Sequence, residues 1–248
     1  MSKNGLLLCA KYAVAPNLFG YCGPDENKNI VDHLKENQQD KELTVLLKDF
    51  ETLYPYLQLV ARENQINNPF DERVVEAYWL GNRLLEKVKS GDYLAFLEEK
   101  LNLHKTISSN KLSKIKSKVL LARFLPNHTF HVFNIFKRSD RDISFQTLKT
   151  MDECRIGWGK VIQIYKSKIK NIVVKTKSLF TDENNRLNLG EPVLKVIKVD
   201  YRGKQFIRDL KTGDWVSFHW GMICDKLTLQ QVRSLESYTQ KAIDFYNF

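Results

Sequence analysis

Two residues of complementary chemistry frame the last third of this sequence. Cys154 opens Cys154-Arg155-Ile156-Gly157-Trp158-Gly159-Lys160-Val161, a thiol just ahead of a glycine turn and an apolar strand. His219 lies in Gly213-Asp214-Trp215-Val216-Ser217-Phe218-His219-Trp220-Gly221, a turn and then a strand that delivers an imidazole near its end, with a short helix expected directly after. Thiolate sulfur and imidazole nitrogen are the donors that soft and borderline transition metals select, so the pair reads as a metal or thiolate site. The competing reading is a half-buried thiol acting as a small hydrophobe beside an ordinary strand histidine.

A second thiol, Cys22, precedes Gly23-Pro24 in a segment rich in proline and glycine. As a nucleophile it would need Asn17, five residues earlier, as oxyanion donor and His131 as base, the parts of a cysteine-dependent amide hydrolase. Residues 25–36 are too polar for the buried helix that usually carries such a nucleophile, and a tight structural loop explains the composition as well. His128 and His131 lie three apart at the start of an expected strand. On a strand an odd separation sends side chains to opposite faces, so the two are not expected to share a metal. Asp71, Arg73 and Glu76 read as an ion network at a helix start.

The elements that must position these residues divide into two periods. Residues 1–104 read as a helical domain. An apolar face runs from Leu43, Val45, Leu46, Leu47 and Phe50 through Leu53, Tyr56, Leu57, Leu59 and Val60. A second helix is expected over Asp71–Val88, started by Pro69 and Asp71, and a third over Tyr93–Leu103. Residues 105–150 read as a basic linker (105–118) and a connecting strand, Phe130–Phe136. From 151 to 248 the period shortens to strands at Val161–Tyr165, Ile172–Val174, Val193–Ile197 and Trp215–Phe218, separated by polar turns including 182–185 and 202–204. Thr228 then caps a closing helix. The expected fold class is α+β: a helical N-terminal domain plus a small OB-like β-barrel closed by a helix.

The C-terminal segment resembles the hydrogenase maturation chaperones of the HypC/HybG type. Cys154, Gly159, Lys160 and Val161 match that family's opening; Gly213, Asp214, Trp215, Val216, His219 and Gly221, followed by the helix from Thr228, match its close. The match spans about 95 residues, 154–248. Trp158 stands at the family's proline, and residues 182–200 read as part of an insertion. The resemblance implies that Cys154 and His219 form the functional pair, with the thiolate holding iron that carries cyanide and carbon monoxide ligands. It also implies a hydrogenase large-subunit precursor or other maturation proteins as partners. In that family the cysteine is N-terminal, whereas Cys154 is internal. The whole chain is also similar to an uncharacterised prokaryotic family.

Composition sets the outer bounds. The chain has 248 residues, 43% hydrophobic and 27% charged, with no apolar run near the roughly 20 residues of a membrane span. Leu6-Leu7-Leu8-Cys9 is too short for a signal segment, and a cytoplasmic protein is expected. Four widely spaced cysteines argue against a disulfide framework. Net charge is +10, concentrated in residues 105–177, which hold 17 Lys or Arg against 4 Asp or Glu. Such a belt suits an acidic partner protein or nucleic acid, or is simply a solvated face; no recognition motif for RNA accompanies it. The resemblance to maturation chaperones implies an accessory or carrier protein in preference to an enzyme.

Overall fold

A computed structural model describes residues 5–24, 29–135, 148–165, 171–201 and 203–248. Among these, the order is α1 (Gly5–Leu18), α2 (Asn29–Glu36), α3 (Lys41–Lys48), α4 (Leu53–Glu63), α5 (Glu72–Trp79) and a 3-10 turn (Arg83–Lys87). Then come α6 (Ser90–Glu99), α7 (Leu103–Thr106), α8 (Ser109–Leu121), α9 (His128–Phe130), a π-helical turn (His131–Ile135) and α10 (Leu148–Cys154). Five strands follow: β1 (Gly157–Tyr165), β2 (Asn171–Thr181), β3 (Leu187–Lys198), β4 (Trp215–His219) and β5 (Met222–Leu227), before α11 (Leu229–Asn247). The fold class is α+β with a small barrel.

Local chemistry explains the helix ends. Asp40 and Asp71 cap α3 and α5, accepting hydrogen bonds from Leu43 N and Arg73 N. Thr228 and Gln231 form a capping box at α11. Asp71 also pairs with Arg73, while Glu76 turns inward to accept from Gln231 Nε2, so the expected ion network is split. The expected helix over Asp71–Val88 stops at Trp79. Gly81 takes φ +86°, and a Cβ there would lie 2.3 Å from the Tyr238 ring, so the chain breaks where α11 presses against it. The apolar face from Leu43 to Val60 is likewise divided between α3 and α4, and Asn102 in a left-handed conformation separates α6 from α7.

Four expectations are corrected. Residues 109–121 form α8 instead of continuing a linker: Leu112, Ile115 and Val119 repeat at helical spacing and are buried, and the lysines between them hid that period. The strand expected at Phe130–Phe136 is helical as far as Ile135, with Phe136 outside the described residues. Asn127 caps this helix, and Phe130, Val132, Phe133 and Ile135 are all buried, giving the apolar-rich run that strands and buried helices share. No helix follows His219; β5 does, paired antiparallel with β4 through its buried residues. The strand expected at Val193–Ile197 is longer, running as β3 from Leu187 to Lys198, a wall of the barrel paired along its length with β2.

The barrel closes in the order β1-β2-β3-β5-β4, with β3 and β5 meeting parallel at Lys198 and Met222, an OB-like arrangement. The barrel and the helices share one continuous core running from Leu6 to Phe245. In particular α1 lies against β4 and β5, and its Tyr12 hydroxyl meets Ser217 Oγ at 2.9 Å. Among the described residues, no helix is long and apolar enough to cross a membrane.

Candidate metal centre

The two chemical motifs meet because they are neighbouring strands. β1 and β4 pair antiparallel with Gly157 opposite Phe218 and Gly159 opposite Val216. Cys154, three residues before Gly157, and His219, one residue after Phe218, therefore arrive at the same end of the barrel. Gly157 is required there: a Cβ would sit 2.1 Å from the Phe218 ring. At the other end, Gly213 N donates to Val161 O and Val161 N to Asp214 O, both at 2.8 Å, which pins the turn before β4 onto β1.

His128, the first residue of α9, completes the cluster. Its ligand atom and those of Cys154 and His219 all lie within 4.8 Å of one another. A tetrahedral ion with 2.1 Å nitrogen and 2.3 Å sulfur bonds holds its donors about 3.5 Å apart, so closing onto a metal needs side-chain movements of about 1 Å. His219 Nδ1 donates to the Tyr12 carbonyl at 2.8 Å, which leaves Nε2 as the lone-pair nitrogen. That Nε2 is buried in a residue only 1% exposed and makes no well-formed hydrogen bond, although the Cys154 carbonyl lies close enough to act on the ring. His128 Nε2 donates to the Cys154 carbonyl at 2.7 Å, and its ring stands 5.0 Å from that of His219. Burial, helped by the nearby His219 ring and opposed by the Cys154 carbonyl, holds His128 well below the usual imidazole range. Burial likewise brings His219 down to about 4 against the pull of the Tyr12 and Cys154 carbonyls. Both rings are thus neutral near pH 7, the form that binds metal.

Cys154 is half-buried at the end of α10, and its backbone is fixed from three sides. Asp152 Oδ1 accepts from Leu179 N and Arg155 Nε, and the Arg155 guanidinium, 2% exposed, donates from Nη2 to Lys177 O and lies over the Trp158 ring. Glu153 pairs with Lys195 at 2.7 Å, and its carbonyl accepts from Trp220 N at 2.9 Å. Trp158 is thereby part of the clamp.

A cavity of about 160 Å³ opens above the three residues, walled by Phe50, Leu53, Val132 and Phe133 among others. Cys22 and His131 line it too, so the candidates come to one place, though in different states. Asn17 is not on the wall; its Nδ2 donates to Cys22 O at 3.2 Å and Pro24 O at 3.0 Å, holding a tight loop. His131 bonds through Nδ1 to the Tyr56 hydroxyl at 3.0 Å, and burial lowers it to about 3, far from the basicity a general base needs near pH 7. None of the four cysteines is in a disulfide. His128 and His131 do not share a ligand set, but strand alternation is not the reason, since both sit on helical backbone. His128 was the residue missed; Asn127 just before it, a strong helix cap, was the available signal.

No curated protein and no solved structure matches this sequence. The family model of DUF6390, a family of unknown function, matches residues 1–248, and the chain belongs to that family.

Proposed function

We propose that this protein binds a soft or borderline transition-metal ion as cargo at Cys154, His219 and His128, serving as an accessory factor in metal-centre assembly. The observation that carries the reading is His219 Nε2, buried, unpartnered and facing the same cavity as a thiol and a second neutral imidazole. A buried polar atom without a partner costs about 1–3 kcal/mol, a cost a bound ion would remove. Tyr12 orients the ring from its other nitrogen, as backbone carbonyls commonly orient metal-ligating histidines. Cys154 would release its proton to solvent on binding, giving one thiolate and two neutral imidazoles. Three such donors leave a four-coordinate ion one position for an additional ligand.

The finer reading is iron carrying cyanide and carbon monoxide, passed to a hydrogenase large-subunit precursor. It is supported by the order Cys154, Gly159-Lys160-Val161, Gly213-Asp214-Trp215-Val216, His219, Gly221, which resembles HypC/HybG-type chaperones. The thiol here is clamped within a helix end, so it works as a fixed donor instead of a mobile terminus.

Titration with Co2+ under anaerobic conditions tests the site. The expected result is a thiolate-to-cobalt charge-transfer band that Cys154→Ala removes; its absence from the wild type overturns the reading. For the finer version, protein purified anaerobically from a host expressing hydrogenase genes should show cyanide and carbonyl infrared bands. If Cys154→Ala keeps those bands, the ligand assignment fails.

A further inference from the structure

A second thiol faces the same cavity from the opposite side of the exposure scale. Cys22 is exposed, Cys154 half-buried and His219 buried, yet all three line one chamber. We infer that Cys22 is the receiving ligand of this centre: the thiolate that first takes a metal ion from its donor and passes it inward to Cys154, His219 and His128. The inference rests on the metal-binding reading above.

The loop carrying Cys22 is built to stay at the chamber mouth. Asn17 ties the carbonyls of Cys22 and Pro24, and Gly23 sits at φ +90° where a Cβ would lie 2.4 Å from the Phe50 ring. Tyr21 stacks on Trp220, ring centroids 4.1 Å apart. Trp220 directly follows His219 and takes φ +51°, with Gly221 at +69°, as a two-residue hairpin turn demands. A bulky residue is rare in that conformation, and its occurrence beside His219 places strain at the site. Its indole thus joins the Cys22 loop to the residue whose Nε2 awaits a partner.

The chamber explains why a receiving thiolate is useful. An ion leaving water or a donor protein must exchange ligands before it reaches Nε2 of His219, and among the wall residues outside the Cys154–His219–His128 cluster Cys22 is the one that offers a thiol. Its thiol gives a proton to solvent and forms a metal–sulfur bond as one donor ligand leaves. Cys154 then loses its proton, the metal–Sγ bond to Cys154 forms, and nitrogen bonds to His219 and His128 follow. The bond to Cys22 breaks last, and that thiolate recovers a proton from solvent. No oxidation state changes.

The test is stopped-flow transfer of Zn2+ from its complex with the chromophoric chelator 4-(2-pyridylazo)resorcinol to full-length protein. Cys22→Ser should slow transfer by about 10-fold or more while leaving the amount transferred at equilibrium within about 3-fold, since a nucleophilic thiolate is lost but the final donors are kept. Cys154→Ser should lower the equilibrium transfer itself. Unchanged kinetics in Cys22→Ser overturn the inference and leave the metal site standing. An equilibrium loss in Cys22→Ser as large as that of Cys154→Ser also overturns it, by making Cys22 a resident ligand. A wild type that takes no Zn2+ overturns both readings together.

Discussion

His128 and His131 stand three residues apart on one helical segment, yet one helps form an open cluster and the other a closed one. His131 ends in a satisfied aromatic network: its Nδ1 meets the Tyr56 hydroxyl, which also bonds the Tyr93 hydroxyl at 3.0 Å, with the Phe96 ring edge-on to Tyr56. His128 faces Cys154 and His219: its Nε2 donates to the Cys154 carbonyl, its Nδ1 lies 3.5 Å from the Tyr78 hydroxyl, and beside it His219 Nε2 makes no well-formed hydrogen bond. Both rings are depressed by burial, so a shifted pKa does not separate them. What separates them is hydrogen-bond bookkeeping. A network that closes on itself stabilises a fold, whereas a buried nitrogen without a well-formed hydrogen bond calls for its own explanation.

The sharpest way to break this contrast is to unfasten the frame of the open cluster. Asp152→Ala leaves the Arg155 guanidinium buried without its counter-charge and should cost about 3–5 kcal/mol in chemical denaturation. Next is the thiol itself: Cys154→Ser should weaken Co2+ binding by about 100-fold or more, since even supporting residues of metal sites cost 10–100-fold, with little change in thermal stability. His131→Phe should do the reverse, leaving Co2+ affinity intact and altering the pH dependence of stability. The unfolded His131 ring takes a proton below about 6.5 while the folded ring resists until about 3, so stability falls as pH drops through that window. Thermal melts from pH 7 to pH 4 should therefore decline less steeply in His131→Phe. The smallest effect belongs to Tyr56→Phe, about 1 kcal/mol from the lost hydrogen bonds and no change in metal binding. A Tyr56→Phe protein with impaired Co2+ binding would mean the two clusters are not separate.

The barrel was legible because its residues speak locally. Alternating strands, the turn at 182–185 and the Thr228–Gln231 cap need no tertiary information, and the pairing of Cys154 with His219 follows from motifs that become adjacent strands. The misses have separate physical causes. Phe130–Ile135 is buried all round, its polar His131 and Asn134 included, so its sequence carried no period to separate helix from strand. The α8 repeat of Leu112, Ile115 and Val119 was diluted by lysines that face solvent. His128 could not be assigned from spacing, since its partners lie 26 and 91 residues away and its distance to them is set by α9 packing beside α5.

The carbonyl of Tyr12 gives the molecule one further property. It belongs to the first helix, yet it fixes the tautomer of a histidine at the far end of the chain. Ligand binding at His219 is therefore thermodynamically linked to the docking of α1: whatever occupies the cluster raises the free energy of pulling that helix away, by mass action. Amide protons of residues 5–18 should exchange with deuterium more slowly when Zn2+ is present, although none of those residues belongs to the Cys154–His219–His128 cluster. Expressed alone, residues 151–248 would retain two of the three donors but lose the carbonyl that aims one of them.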